Sequence, residues 1–434
     1  MVRIGAMASP GFPLDRRELM AGLGAMALMP ALPSMAMARS ALTLQLKADS
    51  APLRPGSPDA PTWSVAGPEL RFKRGDSVEF GVANDLPIAS ALNWRGLDGD
   101  AGLEPLMGRP PIAPGGKDMF EITLRHAGTY LCDTGLLGDG QARPSRPRAL
   151  IVQETEPEVG WRDHVLLIEE WRLRPDGTAI APGSDPKGTV PLYTLNGRTS
   201  FELSAPANER LRIRFINGSQ RSVLAMKLES HEVRVMALDG EPAEPFPARN
   251  GALVLAPGGR ADAFVDTATT ASFLLHDGTE AHQIGRLVIS GRLERRAPLL
   301  PAPPLPSNGL PEQLDLRNGQ RFELPLDGSN DWVSPASFKA SSAPAFRAKL
   351  GRVVVLALTN RAAIATVFHL HGHHFRLLDR LDDGWKPFWL DTLAVEPGQT
   401  QRIAFLAEHA GRYLIESVAT DWAAARRARW YSVE

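Results

Sequence analysis

The stretch Ala207-Asn208-Glu209-Arg210-Leu211-Arg212-Ile213-Arg214-Phe215-Ile216-Asn217 decides the fold class of this chain. Arginine alternates with Leu211, Ile213 and Phe215, and a period of two places these apolar side chains on one face of a β-strand. Asn208 tolerates a positive φ and stands nine positions before Asn217. The pattern predicts a strand that begins after a turn, buries one face and ends at an asparagine.

The same arrangement recurs at two other places in the chain. Gly75 precedes Asn84, and Gly351 precedes Asn360, by the same nine positions, with a strand-like stretch between them. A Pro-Gly turn follows each copy, and an aromatic residue stands sixteen positions after each proline. The turns and their aromatic residues are Pro114-Gly115 with Tyr130, Pro257-Gly258 with Phe273, and Pro397-Gly398 with Tyr413. Two ordered features in three copies predict three homologous β domains.

The intervals between the copies predict the domain limits. We expect domains over residues 39–157, 158–296 and 311–434, with a stiff, proline-rich linker over 297–310. The chain of 434 residues contains 39 Gly and 37 Pro between short apolar stretches, a texture typical of all-β domains with many turns. Helical periodicity is scarce, and the one helix that the sequence suggests spans Trp422 to Arg429.

The amino-terminal residues have the pattern of an export signal. The pair Arg16-Arg17 precedes an apolar run over residues 19–32 and the small-residue pattern Ala36-Met37-Ala38. The sequence therefore predicts a twin-arginine signal peptide over residues 1–38 and a periplasmic protein that does not span the membrane when mature. An uncleaved anchor is the alternative, but Pro30 interrupts the run, which falls short of the roughly 20 apolar residues that a spanning helix needs.

Composition excludes several kinds of function. The net charge of −1 lacks the basic excess that a nucleic-acid partner would require. Cys132 is the only cysteine, which excludes an intrachain disulfide and a cysteine-rich metal site. Glycine-rich phosphate loops and a nucleophile elbow are absent from the sequence. The remaining candidate for site chemistry is the histidine-rich run at residues 369–374.

That run and the repeats carry a family resemblance. Phe368-His369-Leu370-His371-Gly372-His373, three related β domains and a secretion signal resemble the multicopper oxidases, which are built from three cupredoxin domains. Four further pieces support the resemblance: Asn84-Asp85-Leu86-Pro87, Ala127-Gly128-Thr129-Tyr130, Leu195-Asn196-Gly197-Arg198, and Ala256-Pro257-Gly258-Gly259-Arg260-Ala261-Asp262. The resemblance implies an all-β fold of three cupredoxin-like (plastocyanin-like) Greek-key β-sandwiches in tandem.

The resemblance also implies where copper ligands would stand. In that family four His-x-His pairs surround a three-copper cluster, and one cysteine, two histidines and usually a methionine hold a blue copper. Carried onto this chain, the four pairs fall on Asn93 and Arg95, Asp133 and Gly135, His369 and His371, and Ile415 and Ser417. The blue-copper positions fall on Thr366, Glu416 and Asp421, with the methionine position near Arg426. Imidazole is therefore expected only at His369 and His371.

This loss pattern is similar to that of the copper-free cell-division members of the family. It predicts a non-catalytic scaffold or protein-binding module, without a cofactor, whose partner is an unidentified periplasmic or envelope protein. A buried ion pair between Arg95 and Asp133 is expected where ligands would have faced each other.

Two interpretations of the surviving histidines remain open. The first is a residual copper or zinc site at His369 and His371, with Asp133 as a third ligand, which with copper would make the chain a copper-binding oxidoreductase with a reduced site. The second is that these histidines are inherited packing, hydrogen-bonded to the backbone or to Asp133.

Overall fold

The computed structural model of the chain describes residues 41–156, 160–291, 299–326, 331–379 and 384–434. The predicted signal peptide and the predicted domain limits at 157/158 and 296/297 lie outside these residues. The helical elements of the described chain are three short 3-10 turns at Gly135–Leu137, Arg249–Gly251 and Pro335–Ser337. Among the described residues, no helix has the length and apolar character needed to cross a membrane. The strands form six sheets, and these follow three consecutive segments of the chain.

The first segment contributes two sheets that pack around one apolar core. Its strands are β1 (Leu42–Ala51), β2 (Ala60–Ala66), β3 (Leu70–Lys73), β4 (Ser77–Asn84), β5 (Asn93–Arg95), β6 (Lys117–Thr123), β7 (Gly128–Asp133), β8 (Ser145–Arg146) and β9 (Arg148–Gln153). One sheet has the order β6-β4-β1-β2-β8 and the other the order β3-β9-β7-β5. Phe80, Trp94 and Tyr130 lie between them, fully or almost fully buried.

The second segment repeats this arrangement with more strands. They are β10 (Arg162–Leu173), β11 (Ala179–Ile180), β12 (Val190–Leu195), β13 (Glu202–Pro206), β14 (Arg210–Asn217), β15 (Leu224–Leu228), β16 (Arg234–Leu238), β17 (Glu241–Pro247), β18 (Ala252–Leu255), β19 (Arg260–Asp266), β20 (Ala271–His276) and β21 (Ala281–Ser290). The sheet β11-β10-β14-β19-β16-β17, to which β12 adds beside β10, faces the sheet β13-β21-β20-β15-β18. Leu211, Ile213 and Phe215 fill the core between them, as their alternation predicts.

The third segment forms the last pair of sheets. Its strands are β22 (Gln320–Pro325), β23 (Arg347–Ala348), β24 (Val353–Thr359), β25 (Thr366–Leu370), β26 (Arg376–Leu377), β27 (Thr392–Val395), β28 (Thr400–Leu406), β29 (Gly411–Ala419) and β30 (Arg427–Val433). Their orders are β22-β24-β28-β26 and β23-β30-β29-β25-β27. The predicted helix over Trp422 to Arg429 is wrong, because Arg427 begins β30 and pairs with Ser417 of β29.

The three predicted repeats are confirmed by one hydrogen-bond network that occurs three times. Its centre is an asparagine at the end of β4, at the end of β14 or just after β24, and its side-chain amide donates to two backbone carbonyls. Asn84 Nδ2 donates to Ile88 O and Ile112 O, Asn217 Nδ2 to Ser222 O and Leu255 O, and Asn360 Nδ2 to Ile364 O and Val395 O, all at 2.7–2.9 Å. The glycine of each Pro-Gly turn donates its N–H to the carbonyl of the same asparagine. The residue nine positions earlier has a positive φ in every copy.

The first and third segments meet along β5, β7, β25 and β29. The backbone of Gly99 donates to the carbonyl of Gly372, and Asp98 forms a bridge with Gly372. This contact places the loop after β5 against the histidine-rich run.

Candidate functional site

His369 and His371 form the centre of the candidate site. Residues alternate across a strand, so both imidazoles project from the same face at the end of β25. Their ring centroids are 4.8 Å apart. Glu416 lies directly opposite His369 in the β25–β29 pairing, and one ligand atom from each of the three side chains lies within 4.8 Å of the others. All three residues are buried.

The register of β29 corrects the positions expected for the fourth pair. Because His369 pairs with Glu416, the side chains of Ile415 and Ser417 point to the opposite face of the sheet. Ile415 packs in the core of the third segment, and the Ser417 hydroxyl donates to the carbonyl of Leu326. Glu416, predicted to face the blue-copper side, is therefore the residue that faces the imidazoles.

Arg95 occupies the middle of the site. Its Nε lies 2.7 Å from Asp133 Oδ2, which confirms the predicted ion pair, and its Nη1 lies 3.2 Å from Glu416 Oε1. Asn93, on the same face of β5, donates from Nδ2 to Glu416 Oε1 at 3.3 Å. Burial alone would lower the pKa of Arg95, but Glu416 and Asp133 outweigh burial and raise it. The guanidinium is therefore a fixed buried cation.

A second arginine holds Glu416 from the other side. Arg426 Nη1 forms an ion pair with Glu416 Oε2, and Arg426 Nη2 donates to Gln220 Oε1 at 2.7 Å. Burial would raise the pKa of Glu416, but the charges of Arg95 and Arg426 lower it well below its ordinary value. Glu416 is thus an anion whose charge is compensated by two guanidinium groups.

His371 is positioned between two carboxylates. Its Nε2 lies 2.8 Å from Glu416 Oε1, and its Nδ1 lies 2.7 Å from Glu104 Oε1. Burial alone would lower its pKa, but Glu104 and Glu416 outweigh burial and raise the pKa to about 9. A carboxylate close to each nitrogen favours the imidazolium form of His371 at neutral pH. An imidazolium carries protons on both nitrogens and has no lone pair to offer a metal.

His369 has the opposite character. Its Nδ1 lies 2.7 Å from the Thr392 hydroxyl oxygen and 3.5 Å from Asp391 Oδ1. Burial, helped by the nearby charge of Arg95, lowers the pKa of His369 well below its ordinary value despite the Asp391 carboxylate. His369 is therefore a neutral imidazole and the one unprotonated nitrogen donor among the three side chains.

Asp391 belongs to a second buried ion pair just below His369. Arg260 Nη2, from the second segment, lies 2.6 Å from Asp391 Oδ2, and the Asp391 N–H donates to Asp239 Oδ2 at 3.1 Å. Burial would raise the pKa of Asp391, but Arg260 lowers it, whereas burial and the Asp391 charge raise that of Asp239. All three segments thus contribute charged side chains to this junction.

The free space in the site is small. A cavity of about 20 Å³ is bordered by Asn93, Glu104, His369 and His371, and one of about 10 Å³ is bordered on its charged side by Arg95, Glu416 and Arg426. A volume of this order holds about one water molecule. Within the described chain, two imidazoles, one of them protonated, and two guanidinium groups meet here. This donor set does not fit a cluster of three copper ions, which needs several neutral imidazoles and no adjacent cations.

The other predicted positions lie outside the imidazole cluster. Asp133, the expected third ligand, pairs with Arg95 and accepts the Gly135 N–H on its other oxygen at 2.6 Å. Thr366 is buried on the face of β25 opposite His369, and Asp421 is exposed and caps its own turn. The carboxylates that do reach His371 come from Glu416 and Glu104. The sequence gives no periodic signal for Glu104, which lies in an irregular loop after β5.

Family comparison finds related proteins over most of the chain. Two family models, both described as multicopper oxidase, match residues 158–287 and 310–433. The chain is 24% identical over 419 residues to a multicopper oxidase, MmcO, of Mycobacterium tuberculosis, which covers 81% of this chain and 78% of that protein. It is 25% identical over 246 residues to Laccase-7 of Arabidopsis thaliana, with 49% of this chain and 41% of that protein covered.

Solved structures show the same fold. A multi-copper oxidase from Pseudomonas thermotolerans superposes with a TM-score of 0.75 at 24% identity, covering 91% of this chain and all of that one. Lac15, from a marine microbial metagenome, superposes with a TM-score of 0.74 at 23% identity, covering 90% of this chain and all of that one. At these identities the superpositions establish the arrangement of three cupredoxin-like domains and say nothing about activity.

Proposed function

Because this chain belongs to the multicopper oxidase family, copper chemistry is the standard for judging its site, and we propose that it no longer performs that chemistry. The proposed role is a non-catalytic scaffold in which buried ion pairs hold the domains together where a copper cluster would otherwise sit. The sequence positions without imidazole support this proposal, since His369 and His371 are the one histidine pair among the four expected ligand pairs.

One observation carries the proposal: the Arg95 guanidinium lies between Asp133 and Glu416, close to His369. A copper ion placed here would face repulsion from Arg95 and from Arg426. Glu416 is already compensated by these two cations, and the two carboxylates beside His371 favour its protonated form. Metal binding would have to displace a proton and break at least one buried ion pair.

We propose further that the protein acts in the periplasm after export by the twin-arginine route and binds an envelope protein. The Arg16-Arg17 signal pattern supports the export step. Chemical crosslinking of the full-length chain in intact cells should yield a discrete crosslinked species in the periplasmic fraction. A chain that is found only in the cytoplasm would contradict this part of the proposal.

The second candidate function is a copper-binding oxidoreductase with a reduced site at His369 and His371. The observation in its favour is that Glu416 completes a group of three converging donors. Two imidazoles and one carboxylate can hold a single transition-metal ion with open coordination positions. This reading requires His371 to lose its proton and Glu416 to leave an arginine.

Copper loading of the full-length folded protein distinguishes the two candidates. The chain is incubated with excess Cu²⁺ and separated from free ion, after which bound copper and the oxidation of a phenol and of Cu⁺ are measured. The scaffold proposal predicts no oxidation activity and no copper binding that depends on His369. The second candidate function predicts about one bound copper ion per chain. This binding should be lost in His369→Ala and retained in His276→Ala, a matched change at an exposed histidine.

A further inference from the structure

A second group of metal-type donors lies where the loop after β5 meets the second segment. It consists of Asp98 and His126 from the first segment and Glu241 at the start of β17, and one ligand atom from each lies within 4.8 Å of the others. From this geometry we infer that Asp98, His126 and Glu241 bind a divalent transition-metal cation such as Zn²⁺. The site is separate from His369 and His371 and goes beyond the scaffold function proposed above.

The spacing of the donors suits a zinc ion. His126 Nδ1 lies 3.3 Å from Glu241 Oε1 and 4.0 Å from Asp98 Oδ2. Donors that surround zinc tetrahedrally at about 2.1 Å are separated from one another by about 3.4 Å. Small rotations of two side chains therefore bring all three atoms to bonding distance. One imidazole with two carboxylates is a donor set that zinc accepts, and it leaves one coordination position open.

Glu241 supplies the independent sign of a ligand. Its side chain is only 2% exposed, and among the described residues its Oε1 makes no hydrogen bond. Burying a carboxylate oxygen without a hydrogen-bond partner is costly unless a cation compensates it. The atom lies 3.3 Å from His126 Nδ1, and a cation bound by the three residues would satisfy it.

Asp98 is oriented in the way that metal ligands usually are. His374 Nδ1 donates to Asp98 Oδ2 at 2.6 Å, and His374 Nε2 donates to the carbonyl of Asp239 at 2.9 Å. Hydrogen bonds from a second layer of residues fix the direction of a ligating carboxylate and support the metal. Both nitrogens of His374 face acceptors, so this histidine acts as a positioning residue and cannot itself ligate.

The local charge favours a cation. Two carboxylates, Asp98 and Glu241, converge with His126 at this site. Glu408 stands close enough that burial and repulsion from Asp98 and Glu241 raise its pKa, although His409 and His126 partly offset this. Of the guanidinium groups next to this loop, Arg125 donates to the carbonyl of Gly99, and Arg260 is paired with Asp391. The His126 side chain is 19% exposed, which leaves a path from solvent.

Zinc titration of the full-length protein tests the inference. After treatment with a chelator, the chain is titrated calorimetrically with ZnCl₂ and its melting temperature is measured with and without zinc. We expect one equivalent of bound zinc and a higher melting temperature. The variants Glu241→Gln and His126→Gln should each weaken binding by more than about 100-fold, because even the loss of an outer partner costs roughly 10–100-fold.

Two controls make the result specific. Glu244→Gln changes an exposed glutamate of the same strand and should bind zinc as the unchanged chain does. His369→Ala should also keep its zinc, which separates this site from the one discussed under the proposed function. If Glu241→Gln does not fold, as judged by circular dichroism, His126→Gln decides, since that side chain is partly exposed. Absence of zinc binding, or binding that survives in the folded site variants, overturns the inference.

Discussion

Replacing Arg95 with methionine removes the central charge of the site while keeping a side chain of comparable length. The guanidinium makes an ion pair at 2.7 Å with Asp133 and contacts both oxygens of Glu416, at 3.2 and 3.4 Å. In Arg95→Met, Glu416 keeps Arg426, but the one partner left to Asp133 among the described residues is the N–H of Gly135. Breaking a buried ion pair by removing one partner costs about 3–5 kcal/mol, so we expect a loss of this size in the free energy of unfolding.

Equilibrium urea unfolding, followed by tryptophan fluorescence at pH 7, measures this loss. The matched control is Arg347→Met, because Arg347 pairs with Glu434 at 2.6 Å with both side chains about 60% exposed. An exposed pair contributes at most about 1 kcal/mol, so the control should change little. The double variant Arg95→Met/Asp133→Asn should lose less than the sum of the two single variants, because they share one interaction. A loss in Arg95→Met no larger than in the control would refute this reasoning.

Three further outcomes follow from buried groups elsewhere in the chain. His371 has a pKa of about 9, above its unfolded value of about 6.5, so the stability that it contributes is complete below pH 6.5 and lost as the pH rises through 9. Between pH 6.5 and 9, the free energy of unfolding measured in urea should therefore fall more steeply for the unchanged chain than for His371→Gln, by up to about 1.4 kcal/mol per pH unit. Equal slopes for the two proteins would contradict the assignment. Burial, reinforced by the charge of Asp133, raises the pKa of the Cys132 thiol. A thiol reagent should therefore modify the folded protein no faster than the protein unfolds, and should modify the denatured protein promptly. Fast labelling of the folded protein would be inconsistent with that burial. Asn217→Ala removes the hydrogen-bond partner of two backbone carbonyls and one N–H. Each unsatisfied group costs about 1–3 kcal/mol, so the free energy of unfolding should fall by about 3 kcal/mol or more. A loss below about 1 kcal/mol would show that water replaces the amide.

The strands and repeats could be predicted from the sequence because the signals are local. Alternating apolar residues in Leu211, Ile213 and Phe215 define one face whatever the strand pairs with. Gly75, Asn208 and Gly351 mark the turns, since few other residues adopt the positive φ found at these positions. Such features need no knowledge of distant residues.

The site could be predicted only in part, because its composition depends on register. A shift of one residue in β29 exchanges its two faces, and no local pattern in residues 411–419 shows whether Glu416 or its neighbours face His369. The Arg95–Asp133 pair was predictable because the family resemblance places both residues at ligand positions that face each other, and β5 and β7 do pair in the structure. The predicted helix at Trp422 failed for a related reason: pairing with β29 overrides the local preference of an alanine-rich stretch.

The charged contacts between segments bear on how separable the three sandwiches are. Arg95 of the first joins Glu416 of the third, and Arg260 of the second, completely buried, joins Asp391 of the third. Cutting the polypeptide in a connector would therefore leave the pieces associated, whereas a chain truncated before β25 would leave Arg95 without Glu416 and Arg260 without Asp391. A domain of this protein could therefore not simply be exchanged for one from a relative, because the new domain would also have to supply the partner residue of each ion pair between domains.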